Sequence, residues 1–293
     1  MNPNDHKNFE SRVRFFRAGH GGKIRRAPVR LLRTTAVGLA AHFLKGGITT
    51  KAKILTGDEM TVVLPEEVST ALYRYGFYEE GLTRMLMERL KPGMTFFDVG
   101  AHFGYYSLLS SDLVGNSGRV HSFEPTPSTF KVLSTNVKNR SNVQINQVAV
   151  SSEHGVAQFN DLGLVFSGRN SLHRAKVNQS DMDLNRQFAY EIQTTTIDKY
   201  CQETGQTPDV LKIDAESSEF EILQGASGLI SEKKPVITLE VGDDGIEGVP
   251  TSRELVEYLI DQGYKAFEFN AASISKHKLR DRYDWDNLLF LEA

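Results

Sequence analysis

Past Lys53 the chain alternates short apolar runs with amphipathic stretches. One junction in that alternation constrains the fold most, where the run Thr95 to Val99 opens into Asp98-Val99-Gly100-Ala101-His102-Phe103-Gly104. A short apolar run that ends in glycine and leads into helical spacing, Tyr105 to Val114, is the signature of a strand handing over to a helix. The same rhythm recurs. Helical spacing over Leu82 to Leu90 and the turn Lys91-Pro92-Gly93 precede it, and strands are expected at Arg119–Phe123, Val143–Val150, Val210–Ile213 and Pro235–Val241. Thr126-Pro127 supplies a cap residue and a first-position proline for a further helix. Helical spacing over Glu219–Ala226 and Ser252–Gln262, and closing strands over 264–269 and 287–292, complete the pattern. The expected class is therefore α/β: a Rossmann-like, mostly parallel central sheet with helices on both faces, binding its ligand at the carboxyl ends of the strands.

The loop has the composition such an end requires. Gly100 lets the backbone turn sharply and approach a ligand, and Gly104 lets the helix pack closely while leaving its first amides free for a negative group. Glu124 stands 20 residues beyond Gly104 at the end of the second strand, where a carboxylate accepts both ribose hydroxyls of an adenosine. A dinucleotide pyrophosphate favours G-x-G-x-x-G, which this loop lacks. S-adenosylmethionine carries no pyrophosphate, so a looser glycine loop preceded by an acid suits it better. Asp98 is that acid, set to meet the cofactor's ammonium or, in a purely structural reading, to hold the loop through backbone amides.

A second group of candidates lies in Lys212-Ile213-Asp214-Ala215-Glu216, at the end of a buried strand. Asp214 and Glu216 are placed to enter the crevice, where a carboxylate holds a substrate hydroxyl or takes its proton. Glu240, ending the run Val236 to Glu240, is a third candidate, with a sheet-edge hydrogen-bonding role as its alternative. Ser218 and Glu221 have capping-box spacing and Glu219 falls in a first helical turn, so structural roles account for both acids. His173, in Gly168 to His173, is a conceivable base. The eight histidines and single cysteine show no metal spacing. Magnesium on Asp214, Glu216 and Glu240 is an alternative to plain hydrogen-bonding carboxylates, and no metal is expected.

These residues resemble the FkbM-type S-adenosylmethionine-dependent methyltransferases, over a span from about Met60 to Val241. Six ordered blocks carry the resemblance: Phe97 to Ser107, Gly118 to Pro125, Asn136-Val137, Ala149-Val150-Ser151, Thr196-Ile197-Asp198 and Lys212 to Glu219. It implies a class I methyltransferase fold, S-adenosyl-L-methionine as cofactor, and a hydroxyl of a sugar, glycolipid or polyketide as acceptor. It also implies cofactor contacts from Pro125, beside Glu124, and from Glu79, in a block just before the helix that precedes the first core strand. Two positions depart from the pattern. His102 replaces an asparagine and alters how the loop amides meet the cofactor, and Ser217 replaces a glycine, which puts in question any geometry there that needs positive φ. Loops such as Phe159–Gln187 and Asp243–Val249 are expected to form the acceptor pocket. Two other readings remain, a non-catalytic nucleotide-fold binding module and an NAD-dependent oxidoreductase.

The charge is divided. Residues 1–53 hold 12 Lys+Arg against 2 Asp+Glu, a net of +10, and the remainder holds 22 against 35, a net of -13. The expected organisation is thus a basic, helical N-terminal extension over 1–53 and a catalytic domain over 54–293. A basic helix packed on the acidic body is favoured over contact with an anionic membrane or substrate. A second helix there would carry the stripe Leu32, Ala36, Leu39, Ala40 and Phe43. The apolar run Thr34 to Leu44 has 11 residues, against about 20 needed to cross a bilayer. No zinc-finger, RRM or basic-zipper pattern accompanies the arginines, so nucleic acid is not an expected partner. One cysteine suits a reducing compartment, which leads to the expectation of a cytoplasmic protein, peripheral to a membrane at most.

Overall fold

The computed structural model describes residues 3–19, 34, 36–37, 40, 47–173, 188–243, 245–246, 248–269 and 273–293. The chain opens with helix α1 (Pro3–Arg17), the hairpin β1 (Ile48–Lys53) and β2 (Glu59–Leu64), and helices α2 (Glu67–Tyr75) and α3 (Glu80–Arg89). α1 lies on the body. Its Phe9 and Val13 are buried in the same core as Leu55, Leu72 and Phe77. The Arg12 guanidinium donates to the carbonyls of Lys53 at 3.2 Å, Ile54 at 3.2 Å and Tyr75 at 2.9 Å, and Arg17 pairs with Glu80 at 3.0 Å. The boundary expected after residue 53 falls at the turn of this hairpin, whose strands pair from Ile48↔Leu64 to Lys53↔Glu59. Of the expected second helix, Leu32, Leu39 and Phe43 lie outside the described residues.

Strand β3 (Thr95–Val99) leads through the glycine loop into α4 (Tyr105–Val114), and β4 (Arg119–Phe123) into α5 (Pro127–Val137). The next strand is shorter than the apolar run suggests. β5 (Val143–Asn146) stays in the main sheet, and β6 (Ala149–Val150) leaves it to pair with β8 (Phe188–Thr195), which also pairs antiparallel with β7 (Gly155–Asp161). Asn146 marks the break: its amide donates to Ser122 O at 3.2 Å, and its side-chain oxygen accepts from the Tyr200 hydroxyl at 3.3 Å. A 3-10 turn (Leu164–Arg169), α6 (Ile197–Thr204), β9 (Val210–Ile213), α7 (Glu219–Gln224), α8 (Ser227–Glu232) and β10 (Val236–Val241) follow. The chain ends with α9 (Ser252–Asp261), β11 (Tyr264–Phe269), β12 (Ile274–Lys276) and β13 (Asp286–Glu292).

The main sheet has eight strands in the order β12-β11-β13-β10-β9-β3-β4-β5. The stretch from β10 to β5 is parallel, and β13 inserts antiparallel between β10 and β11. The chain runs outward from β3 to β5, then returns to β9 on the other side of β3, so the order reverses between β3 and β9. A crevice opens at such a reversal, beyond the carboxyl ends of the strands. Alternation along β3 sends Phe96 into the core shared with α3 and α4, and Phe97 into the core shared with α6, α7 and α9. Both faces of the central strands are therefore covered, which is why they are mainly apolar and why the polar residues within them, such as Asp98 and Lys212, are buried. Among the described residues no helix is long and apolar enough to cross a membrane.

Candidate functional site

The glycine loop is built by two left-handed residues that only a missing side chain permits. Gly100 has φ +74°, and a Cβ there would sit 1.7 Å from the carbonyl oxygen of Asp214. What it approaches most closely is thus the end of β9, which locks the two carboxylate-bearing strand ends together. Gly104 (φ +91°) begins α4, and a Cβ there would meet Leu133 of α5 at 2.5 Å. Between them His102 also adopts a positive φ, +50°. Asparagine and histidine tolerate that region better than most residues, so the exchange at this position keeps the backbone path.

Glu124 closes the loop. One carboxylate oxygen accepts the His102 amide at 3.1 Å and the other accepts the Thr126 amide at 3.0 Å, while the residue stays buried on the cavity wall. Burial pushes this carboxyl up to about 7 against the pull of those two donors. Thr126 makes no side-chain cap bond to α5; its hydroxyl accepts from Asn170 at 3.3 Å instead. The His102 ring reaches across the mouth to the Ser167 hydroxyl at 2.7 Å.

Asp98 lies elsewhere than expected. It is fully buried and absent from the cavity wall, with its carboxylate accepting the Ser107 hydroxyl at 2.6 Å and standing 3.5 Å from the Lys212 ammonium. The register explains this, because Asp98 and Lys212 are paired neighbours on β3 and β9. Lys212 is the residue that sequence reasoning passed over. Its ammonium is 3.0 Å from Asp214 and 3.4 Å from Gly100 O, and 5.3 Å from the centre of the Tyr106 ring. Burial opposes its charge, but Asp214 and Asp98 outweigh that and hold the ammonium well above its ordinary range. Such a lysine ties two acids to one backbone carbonyl under the crevice.

Glu79 is likewise off the cavity wall. It accepts the Tyr106 hydroxyl at 2.6 Å and the Asn287 amide at 2.7 Å, which ties α3 to α4 and β13. Burial, then the charge of Asp214, pushes its carboxyl up to about 7. Glu79 thereby supports the cavity floor from behind.

Asp214, Glu216 and Glu240 do come together. One oxygen from each lies within 4.8 Å of the others, and all three line the cavity. Glu240 is in contact with Asp214, and its Oε2 is buried without a hydrogen-bond partner. Burial, then the charges of Asp214, Glu216 and Glu219, drive the Glu240 carboxyl well above the carboxylate range. Its neighbours thus favour the protonated form of Glu240, which lessens the repulsion within the group. Glu216 (φ +50°) and Ser217 (φ +74°) both take the left-handed backbone, so the turn forms even though serine stands where glycine would be relaxed. Glu219 accepts the Ala215 amide at 2.8 Å, which fixes the same turn. The expected Ser218/Glu221 capping box is absent: Ser218 makes no cap bond, and Glu221 pairs with His173 at 3.1 Å. That partner raises the His173 imidazole and turns it away from the cavity, whereas Ser167, Asn170 and Ser171 before it line the wall.

The crevice is a cavity of about 880 Å³, bounded by the glycine loop, Glu124-Pro125, the acid group and, at its rim, Ile246 and Trp285. A doubly wound sheet with such a crevice at its reversal point is a ligand-binding α/β fold. Residues 98–266 match the methyltransferase FkbM domain. The chain belongs to that family, the FkbM methyltransferases. It is similar to the 31-O-demethyl-FK506 methyltransferase FkbM of Streptomyces tacrolimicus, 41% identical over 86 residues that cover 29% of this chain and 32% of that protein. It is also similar to the hexuronic acid methyltransferase AglP of Haloferax volcanii, 25% identical over 162 residues covering 54% and 61%. The matches thus span about a third and about three fifths of these relatives. Among solved structures, methyltransferase FkbM from Methylobacillus flagellatus KT is similar at a TM-score of 0.43 and 18% identity, covering 69% of this chain and 44% of that one.

Proposed function

We propose that the protein transfers the methyl group of S-adenosyl-L-methionine to a hydroxyl oxygen of a sugar, glycolipid or polyketide-like acceptor. The observation that carries this reading is the pairing, across one cavity, of Glu124 with the group Asp214, Glu216 and Glu240. Each Glu124 oxygen accepts one amide, and the Thr126 side chain adds a further hydrogen bond, so the carboxylate is held in one orientation toward a ribose hydroxyl. The His102 amide of the glycine loop and the Thr126 amide fix its position, so the nucleoside is oriented before reaction. When bound, the cofactor supplies an electrophilic methyl carbon beside a positive sulfur. The chain's own task at the far wall is to hold the acceptor oxygen and receive its proton. Asp214 is placed for this: Lys212 holds one of its oxygens at 3.0 Å, and it is partly open to the cavity. Glu240, which favours its protonated form, donates a hydrogen bond there instead of taking a proton. The name of one relative, for an O-demethylated acceptor, supports transfer to oxygen, and that of the other, for a hexuronic acid, supports a sugar acceptor.

The test is transfer of labelled methyl from S-adenosylmethionine into a cell extract, with Asp214→Asn as control. Transfer that Asp214→Asn reduces at least a hundredfold, with cofactor binding kept, is the expected outcome. Binding without any transfer would leave a binding module, and calorimetric heat from NAD but none from S-adenosylmethionine would establish an oxidoreductase.

A further inference from the structure

The chain contains one tryptophan, Trp285, and it is 52% exposed at the rim of the cavity. Its position is fixed. Val241 pairs with Asp286, which brings Gly242 opposite Trp285, and a Cβ on Gly242 would meet the indole at 2.6 Å. One side of the indole is therefore covered by bare backbone. The segment before it is pinned twice to Asp243, whose carboxylate accepts the Tyr283 amide at 2.7 Å and whose amide donates to Tyr283 O at 3.1 Å. Asp243 also accepts the Ser252 amide at 2.8 Å, and Tyr283 is buried. Because Glu240 pairs with Asn287, Trp285 is its diagonal neighbour on the same face of the sheet, at the roughly 7–8 Å spacing of such pairs. A rigid aromatic platform thus stands one small ring's width from a group of carboxylates.

We propose that Trp285 is the stacking platform for a neutral pyranose ring, and so sets the acceptor class. The inference rests on the methyltransferase reading of the same cavity. A pyranose offers a flat C–H face to the electron-rich indole and hydroxyls at its edge, which Glu240 and Glu216 meet. Charge selects the neutral sugar. Among the described residues the cavity is lined by Glu66, Glu67, Glu124 and the three acids of the far wall, against Lys212 alone, which Asp98 and Asp214 already occupy. A uronate carboxylate would be desolvated among these acids, most of all beside Asp214 and Glu216, since Glu240 favours its protonated form.

Because Trp285 is the single tryptophan, its emission reports on this surface alone. The protein is saturated with S-adenosylhomocysteine, verified by calorimetry, and titrated with methyl α-glucopyranoside, methyl α-mannopyranoside, glucuronate and the open-chain polyol sorbitol. The expected result is a saturable emission change with at least one pyranoside, at least tenfold weaker binding of glucuronate, and no saturable change with sorbitol. By calorimetry, Trp285→Ala weakens that pyranoside about tenfold or more, and Trp285→Phe by about threefold or less, with S-adenosylhomocysteine affinity unchanged in both. Equal responses to sorbitol, or pyranoside binding that Trp285→Ala leaves intact, would overturn the platform. Glucuronate binding as tightly as the glycosides would overturn the charge selection. Intact S-adenosylhomocysteine binding without any pyranoside response removes this inference and leaves the methyltransferase standing, whereas failure to bind S-adenosylhomocysteine removes both.

Discussion

The two walls of the cavity handle negative charge in opposite ways. On the β3–β4 side a single carboxylate, Glu124, has both oxygens held by backbone amides, and the loop that supplies one of them is fixed by two glycines. On the β9–β10 side three carboxylates crowd together, with one buried oxygen of Glu240 unpartnered and a lysine beneath them. The first wall is a mould, complete before any ligand arrives. The second stores unsatisfied polarity, which a hydroxyl or a proton can relieve. Binding and proton handling are thereby separated onto different strands.

The largest effect expected from breaking this division is at its hinge. Gly100→Ala places a methyl group against the Asp214 carbonyl, so both walls are displaced. Loss of measurable cofactor binding by calorimetry, with a lower melting temperature, is the expected outcome. Next is Glu124→Ala, which damages only the mould: affinity for S-adenosylmethionine falls by about tenfold or more, read as a dissociation constant. Asp214→Asn is the mirror experiment, and a walls-apart arrangement requires that it lower turnover while changing that constant by less than about threefold.

Two smaller effects sharpen the contrast. Glu79, Glu124 and Glu219 lie near 7 in the folded protein against an ordinary value of 4.5. Between those values the folded state holds protons that the unfolded chain has released, so stability falls as pH rises through this window. The melting temperature of the ligand-free protein should drop by a few degrees from about pH 5.5 to about pH 7.5. Smallest is Ser217→Gly, which relaxes a left-handed serine and should raise stability in urea unfolding by about 0.5–1 kcal/mol, with turnover unchanged.

The difference between the walls also explains what could be read in advance. The mould is written in contiguous residues, Phe97 to Ser107 and Gly118 to Pro125, because a strand, its loop and the next strand end are local neighbours. The far wall depends on register. That Asp98 faces Lys212 and not the cavity follows from the pairing of β3 with β9, across a separation of more than a hundred residues. Asp214, Glu216 and Glu240 were legible as strand ends, but their mutual contact was not. Local signals failed where a distant partner won: Glu221 has capping spacing yet bonds His173, and Val143–Val150 reads as one strand until Asn146 is captured by Ser122 and Tyr200. Trp285 carries no periodicity that would mark it.

The N-terminal helix changes how a count of charges should be used. Arg12 is spent on three carbonyls of the body and Arg17 on Glu80. The +10 of the leader therefore overstates the valence it can present to an anionic surface. Removing α1 would also uncap those carbonyls and bare the apolar faces beneath Phe9 and Val13. A truncated protein that lost lipid association could have lost it by unravelling at the hairpin, and only a variant that neutralises Lys7 and other outward cations while leaving Arg12 in place would separate address from architecture.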